Sequence, residues 1–472
     1  MLEGLEAVEI NLEKCKKIID FRIDANTYKK DYIKTATLIS NTNHSSIEDL
    51  SLSVQNFGAY SLCNFINFVD EGIPFLMTEN IRHNYIDWNV QKYVDKESHK
   101  MLWKSHCKKN QVLVTMAGEY LGRVAVYNKD FVSSSNQAIA KVTLKKGLHP
   151  YYISTFLNCR HGQNQINRLK TITGQPNINM SLIKALDIVL LSEDFQKEIS
   201  ELIEQSYSTT ERSKSLYNEA DNILLQEIGL AGWKPTIKNN NSKTLKESFL
   251  ESGRIDAEYY QPKYDELLGL LSNTKPLGKI VFIKKSIEPG SDFYQPEGLP
   301  FIRVADLSKK GISESAVYLD EAEFGNEDLY PKKNTILLSK DGSVGIAYKI
   351  EEDIKGITSG AILHLTIIDK EFLPDYLTLV INSIIVRLQA ERDAGGSIIQ
   401  HWKPDEIKQV VIPRLDNAIQ TKISEKIQES FQLQKQSEEL LEVAKKAVEI
   451  AIEQDENTAL NFLNQKTKSA NG

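Results

Sequence analysis

The stretch from Asp194 to Ile228 limits what this chain can fold into more than any other. Phe195, Ile199, Leu202, Ser206, Thr209, Ser213, Leu216, Ala220 and Ile223 follow one another at alternate steps of four and three residues, with Glu, Gln, Lys and Asn between them. Such spacing is a heptad seam, and a helix of this kind cannot bury its stripe alone. A second stretch of the same type comes late in the chain, through Ile419, Ile423, Ser430, Leu433, Ser437, Leu440, Ala444 and Ala447. Moving the first register on by 224 residues places Ser206 on Ser430, Ser213 on Ser437, Leu216 on Leu440 and Ala220 on Ala444. Two partner-seeking helices in one register, each ending one half of the chain, predict a duplicated molecule.

Other strings repeat in the same order. FRIDANTYKKDYIK from Phe21 answers GRIDAEYYQPKYDEL from Gly253, and GIPFLMTENI at 72–81 answers GLPFIRVADL at 298–307. LVTMAGEYLGRVAVY at 113–127 answers ILLSKDGSVGIAYKI at 336–350, and TGQPNINMSLIKALDIVLL at 173–191 answers GGSIIQHWKPDEIKQVVIP at 395–413. This is a tandem repeat. Within each copy, short β-branched and aromatic runs read as strands. They are Pro74–Met77, Val112–Met116, Arg123–Tyr127 and Ile188–Leu191, then Pro300–Val304, Thr335–Leu338, Ile346–Ile350 and Val410–Ile412. Gly118 with Gly122, and Gly342 with Gly345, mark hairpin tips. Helical patterns open at Pro150 and Pro374.

The expected division is an N-terminal segment 1–20, a globular unit 21–193, a helix 194–231, a polar linker 232–252, a second unit 253–416, a helix 417–456 and a flexible tail 457–472. A chain of 472 residues is too long for one ordinary core. Cys15, Cys63, Cys107 and Cys159 show no CxxC spacing, which suggests free thiols in a reducing cytoplasm. No run is long and apolar enough to cross a bilayer. The formal charge of −7 argues against a protein that coats nucleic acid. That average hides a contrast. Residues 100–184 hold 13 Lys or Arg against 2 acids, whereas 253–416 hold 20 basic against 26 acidic residues. The first cluster suits a polyanion.

Catalytic signatures are missing. No GxxxxGK[ST] loop is present, and neither glycine pair has the strand–helix setting of a dinucleotide site. No Asn-Pro-Pro-aromatic or Asp-Pro-Pro-aromatic string of an amino-methyltransferase occurs. His106 and Cys107 have no second ligand pair at metal spacing, and Asp405, Glu406 and Lys408 read as the acidic opening of a helix after Pro404. The reading is a non-enzyme without cofactor or metal.

Two globular units in tandem, each followed by a long helix, resemble the specificity subunit of type I restriction-modification systems. The hydrophobic strand, the DGSVG hairpin, the Gly-Gly-Ser turn and the entry IPRLDNAIQTKISEKI (412–427) carry the resemblance best. In the first unit Thr173-Gly174-Gln175-Pro176 stands in place of Gly-Gly-Ser, and the helix entry lacks the proline. The resemblance implies an α+β fold, a tandem duplication of two α/β target-recognition domains. It also implies that the helices pack as an antiparallel coiled coil, both spacing the domains and docking partners. Each domain would read one half of a bipartite, non-palindromic site in double-stranded DNA. The partners would be DNA adenine methyltransferase subunits, two of them, and through the complex a restriction translocase, with no membrane. Loops at strand ends are the expected contacts. The candidates are Asn80, Arg82, Arg123, Lys170, Gln175 and Asn177 in the first unit, and Arg303, Lys340, Ser343, Lys403 and Gln400 in the second. Asp24 and Asp256 of the repeated RIDA string are expected to anchor packing. Two alternatives stay open: the specificity component of another restriction-modification architecture, and a two-domain coiled-coil scaffold that binds no DNA.

Overall fold

The structure is a computed structural model and describes residues 8–16, 18, 21–58, 60–171, 174–238, 240–395 and 400–470. The chain forms two compact units, one from residues 1–210 with 434–472 and the other from 211–433. The two long helices, Glu193–Glu227 and Asn417–Glu453, each pass from one unit into the other.

In the first unit a four-stranded antiparallel sheet has the order Ser51–Gln55, Ile139–Leu144, Val112–Thr115, Val124–Val126. Val112 pairs with Val126 on one side and Val142 on the other. The β-branched run Val112–Thr115 is buried along its length, as a central strand covered on both faces requires. A smaller sheet joins Phe68–Val69, Tyr93–Val94, Ile73–Leu76 and Ser134–Ser135, the last pairing parallel. Helices Pro150–Asn158 and Arg160–Leu169 cover the larger sheet. Against them pack Phe195, Ile199 and Leu202 of the first long helix and Leu440, Ala444 and Ala447 of the second.

The second unit repeats this plan. Its sheet has the order Val281–Lys285, Ile362–Ile367, Ile336–Ser339, Ala347–Lys349, with helices Pro374–Asn382 and Ile384–Asp393 in the matching places. The likeness extends to buried polar groups. Asn158 accepts from Val124 N at 3.2 Å and donates to Val124 O at 2.7 Å; Asn382 does the same to Ala347 at 3.0 and 2.8 Å. Each asparagine ties the last turn of a helix to the edge strand. Lys141 faces Leu113 across one sheet and His364 faces Leu337 across the other. Lys141 donates to Ser135 Oγ at 3.0 Å, and His364 Nε2 lies 2.8 Å from Thr358 Oγ1. Burial lowers the Lys141 ammonium to about 8 and the His364 imidazole to about 4. A buried base against a hydroxyl therefore occurs once in each unit.

The helices pair antiparallel within both units. In the first, Ser206 Oγ donates to Ser437 O at 3.0 Å and Ser437 Oγ to Ser206 O at 2.9 Å. In the second, Ser213 and Ser430 exchange the same bonds at 2.8 Å each. The serines that match by repeat, Ser206 with Ser430, are thus not the ones that touch, because antiparallel packing crosses the two registers. Ile199, Leu202, Leu216, Ala220, Ile423, Leu440 and Ala444 are all buried, while Leu433 is half-buried.

The expected flexible tail needs correction. Residues Glu456–Ala470 form a helix that buries Ala459 and Leu463 in the first unit's core. The preceding helix, expected to run to 456, ends at Glu453, and Asp455 caps the next one, accepting from Thr458 N at 2.9 Å. The linker carries a short helix at Phe249–Ser252, and the N-terminal segment one at Leu12–Lys16. Thr173, Gly396 and Ser397, which belong to the two compared turns, lie outside the described residues, as do 1–7, 17, 19 and 20. Cys15, Cys107 and Cys159 are buried thiols and Cys63 is half-buried; none is bridged. Among the described residues no helix is long and apolar enough to cross a membrane.

Candidate nucleic-acid interface

Each unit builds one loop pair in the same way. In the first, the hairpin following Val112–Thr115 turns through Gly118 and Gly122, whose φ values of +82° and +86° suit glycine. The segment 174–178 lies along it, with Gly118 N donating to Pro176 O at 3.1 Å and Ile178 N to Met116 O at 2.8 Å. In the second, Gly342 N donates to Gln400 O at 3.0 Å and Trp402 N to Lys340 O at 2.8 Å. A hairpin tip and a crossing loop are therefore locked together twice. The frame is shared, and the side chains on it are not.

On the first frame Arg123 lies over the Tyr120 ring at 4.4 Å, with Arg82 at 6.0 Å from the same centroid. Burial, and then the neighbouring Arg82 charge, pull the Arg123 guanidinium below its ordinary value. Its Nη1 is buried with no hydrogen-bond partner among the described residues. Arg82 is 3.9 Å from Asp87. Both arginines line a cavity of about 920 Å³ with Tyr85, Lys435, Glu438 and Lys466. Gln175 and Asn177 are exposed on the crossing loop, and Asn177 closes a small turn by accepting from Thr171 N at 2.8 Å. Lys170 caps the end of Arg160–Leu169 and donates to Asn167 Oδ1 at 2.7 Å.

Asn80 does not belong with them. It is 6 % exposed, its Oδ1 accepts from Met77 N at 2.9 Å and its Nδ2 donates to Asp87 O at 3.2 Å. The amide holds a turn, and its burial keeps it from a base edge. Asp306 occupies the matching place in the second unit, accepting from Arg303 N at 2.9 Å.

On the second frame Ser343 and Gln400 are exposed, and Lys403 is exposed beside Glu406 at 3.4 Å. Lys340 is mostly buried against Asp341, to which it donates. Arg303 is half-buried, 3.5 Å from Asp306. Arg123 has no basic counterpart, since Ile346 follows Gly345 where Arg123 follows Gly122.

The RIDA strings sit behind both frames. Arg22 pairs with Asp24 at 2.8 Å and donates to Leu169 O and Lys170 O at 3.0 and 2.7 Å. Arg254 pairs with Asp256 at 2.6 Å and donates to Asp393 O at 3.0 Å. Each arginine caps the last carbonyls of the helix that leads into the crossing loop.

Sequence reading missed the ring of Tyr120 and the His83–Asn84 turn. His83 Nδ1 lies 2.8 Å from Asn158 Oδ1, and burial holds its imidazole below the ordinary value. Asn84 adopts φ +65°. The usable signal was Asn158 and Asn382 recurring at one place in the two repeats. The arrangement can present cations, amides and hydroxyls to a polyanion. Among the described residues no group of three or more His, Cys, Asp or Glu could hold a metal.

Residues 8–222 match the family model of the type I restriction modification DNA specificity domain. The type I restriction enzyme EcoBI specificity subunit of Escherichia coli is 22 % identical over 153 residues, 32 % of each chain. The chain thus spans about a third of the length of that curated relative. The type I restriction-modification S subunit of M. genitalium is 16 % identical, with 87 % of this chain and 96 % of that one covered at a TM-score of 0.39. The HsdS subunit of Thermoanaerobacter tengcongensis is 13 % identical, with 88 % and 97 % covered at 0.30. Over residues 8–222, just under half of its length, the chain is thus similar to the type I restriction modification DNA specificity domain.

Proposed function

We propose that the chain is the specificity subunit of a type I restriction-modification system, a non-catalytic reader of double-stranded DNA. Its target is bipartite and non-palindromic, one half read by each unit. The observation that carries this reading is the twice-built loop pair with unlike side chains: Arg82, Arg123, Gln175 and Asn177 on one, Ser343, Gln400 and Lys403 on the other. Arg82 and Arg123 suit guanine, and Asn177 and the glutamines suit adenine, in the major groove. DNA adenine methyltransferase subunits, and through them restriction subunits, are directed to the site by this chain.

Selection from a random duplex library by the chain with its methyltransferase tests this. Two unlike conserved blocks separated by an unread spacer are expected. A palindromic consensus, or a retention that does not weaken as salt rises, overturns it.

A further inference from the structure

The crossing loops of the two frames are held by the same bonds, so they can be matched residue by residue. Ile178 N donates to Met116 O as Trp402 N does to Lys340 O, and Gly118 N donates to Pro176 O as Gly342 N does to Gln400 O. Thr171 N donates to Asn177 O at 2.8 Å and Gly395 N to His401 O at 3.1 Å, with five residues between the partners in both. Asn177 and His401 therefore hold one place. Both side chains are exposed, whereas Ile178 and Trp402, next along, are buried. Gln400 stands where the first unit has Pro176. The residue opposite this place differs as well: Ala117 bridges to Asn177, and Asp341 to His401. His401 Nδ1 lies 2.8 Å from Asp341 Oδ1, and the mostly buried Lys340 donates to the other oxygen of that carboxylate.

We infer that His401 reads a base edge in the half-site of the second unit, with Asp341 as its positioning residue. The inference rests on the reading of the chain as a DNA specificity subunit. An ionised carboxylate only accepts, so the Nδ1 proton is committed to Asp341 and Nε2 is the polar atom left over. Nε2 has no hydrogen-bond partner among the described residues. An exposed imidazole ordinarily turns about its bonds, and fixing it in advance lowers the ordering cost of a directed contact. A phosphate contact needs no such aim, and the exposed Lys403 beside it can supply one. A bare carboxylate at a reading loop would repel the duplex, but the ion pair with Lys340 offsets that charge and leaves Asp341 to hold the ring. One nitrogen makes one hydrogen bond, so the choice falls on a single base pair.

The test is selection from a random duplex library by the full chain with its methyltransferase, wild type against variants. His401→Ala should lower the preference at one base pair of one block by about fivefold, the worth of a single hydrogen bond, with the other block kept. His401→Asn should move that position toward adenine, the base an asparagine fits. Asp341→Ala should relax the same position, and Asp341→Asn, which keeps an acceptor for Nδ1, should restore it. A merely structural role for Asp341 would not single out one base pair. Because the His401 side chain is exposed, its two variants should melt with the wild type. Blocks unchanged in both His401 variants overturn the inference. So does uniform weakening across all sequences with a shallower salt dependence, the sign of a phosphate contact. A wild type that selects no two-block site overturns the specificity-subunit reading, and the role of His401 with it. A two-block wild-type site left untouched by His401→Ala removes this inference alone.

Discussion

The hydroxyls of Ser206 and Ser437 lie 2.8 Å apart at the helix seam of the first unit, and each also donates to the other's carbonyl. Small side chains allow the backbones this close, and these two buried hydroxyls both find partners. Ser206→Ala removes one donor yet leaves Ser437 bonded, so a loss of about 0.5–1.5 kcal/mol is expected. Ser206→Leu places a branched side chain where no surface is exposed, and should cost about 1–3 kcal/mol. Urea unfolding of both variants checks the order. A leucine variant more stable than the alanine one would mean that the helices have room to spare there.

Arg123 and Arg82 converge on the ring of Tyr120. Arg123→Ala and Arg82→Ala should each reduce discrimination at one half-site by about 1–3 kcal/mol if the contact to guanine is bidentate. Competition binding with duplexes altered in one half at a time reads this directly. Equal loss at both halves would contradict the assignment of one unit to one half-site.

His364 gives the second unit a pH dependence. Its imidazole is pulled down to about 4 in the folded chain, chiefly by burial, from an ordinary value near 6.5. Above pH 6.5 both states are neutral and the contribution is fully present. As pH falls, the unfolded chain takes up the proton first, so stability declines by about 3 kcal/mol between roughly pH 6.5 and 4. Thermal melts of wild type and His364→Gln across that range should diverge, with the glutamine variant flatter. Parallel curves would remove His364 as the source.

Lys349 and Asp375 form a buried ion pair at 2.7 Å in the second unit, and Gln428 donates to the same carboxylate at 2.7 Å. Asp375→Ala leaves the buried Lys349 ammonium with the half-exposed Glu351 at 3.2 Å and should cost about 3 kcal/mol, whereas Lys349→Met with Asp375→Leu should recover most of that loss. The first unit supports this, because Val126 takes the place of Lys349 on its strand and Tyr151 that of Asp375 after the proline. Chemical denaturation of the single and double variants gives the comparison. A double variant as weak as the single one would show that the charges specify more than their own pairing.

The duplication and the long helices were legible because they are written in local spacing. Heptad steps survive on any helix, and strings such as RIDA keep their order whatever they pack against. The strand order was not legible, since pairing of Val112 with Val142 depends on residues far apart in the chain. Asn80 was misread for a physical reason. An asparagine in a polar loop looks the same whether its amide faces a base or closes a short turn on Met77, and only the fold decides. The second long helix was carried on to 456 likewise, because an acid such as Asp455 looks the same inside one helix as at the cap of the next. Arg123 was found as a loop cation, but its stacking on Tyr120 required the hairpin geometry.

The first unit is built from residues 1–210 and 434–472, whereas 211–433 make the second without interruption. Synthesis runs from the N-terminus, so the half that begins the chain is completed last. Until Gln434 and its successors leave the ribosome, Phe195, Ile199 and Leu202 lack the helix that covers them, while the second half already has every residue of its core. A chain stopped before Gln434 would therefore hold a finished second half and an unfinished first one, the reverse of the order in which the two were made.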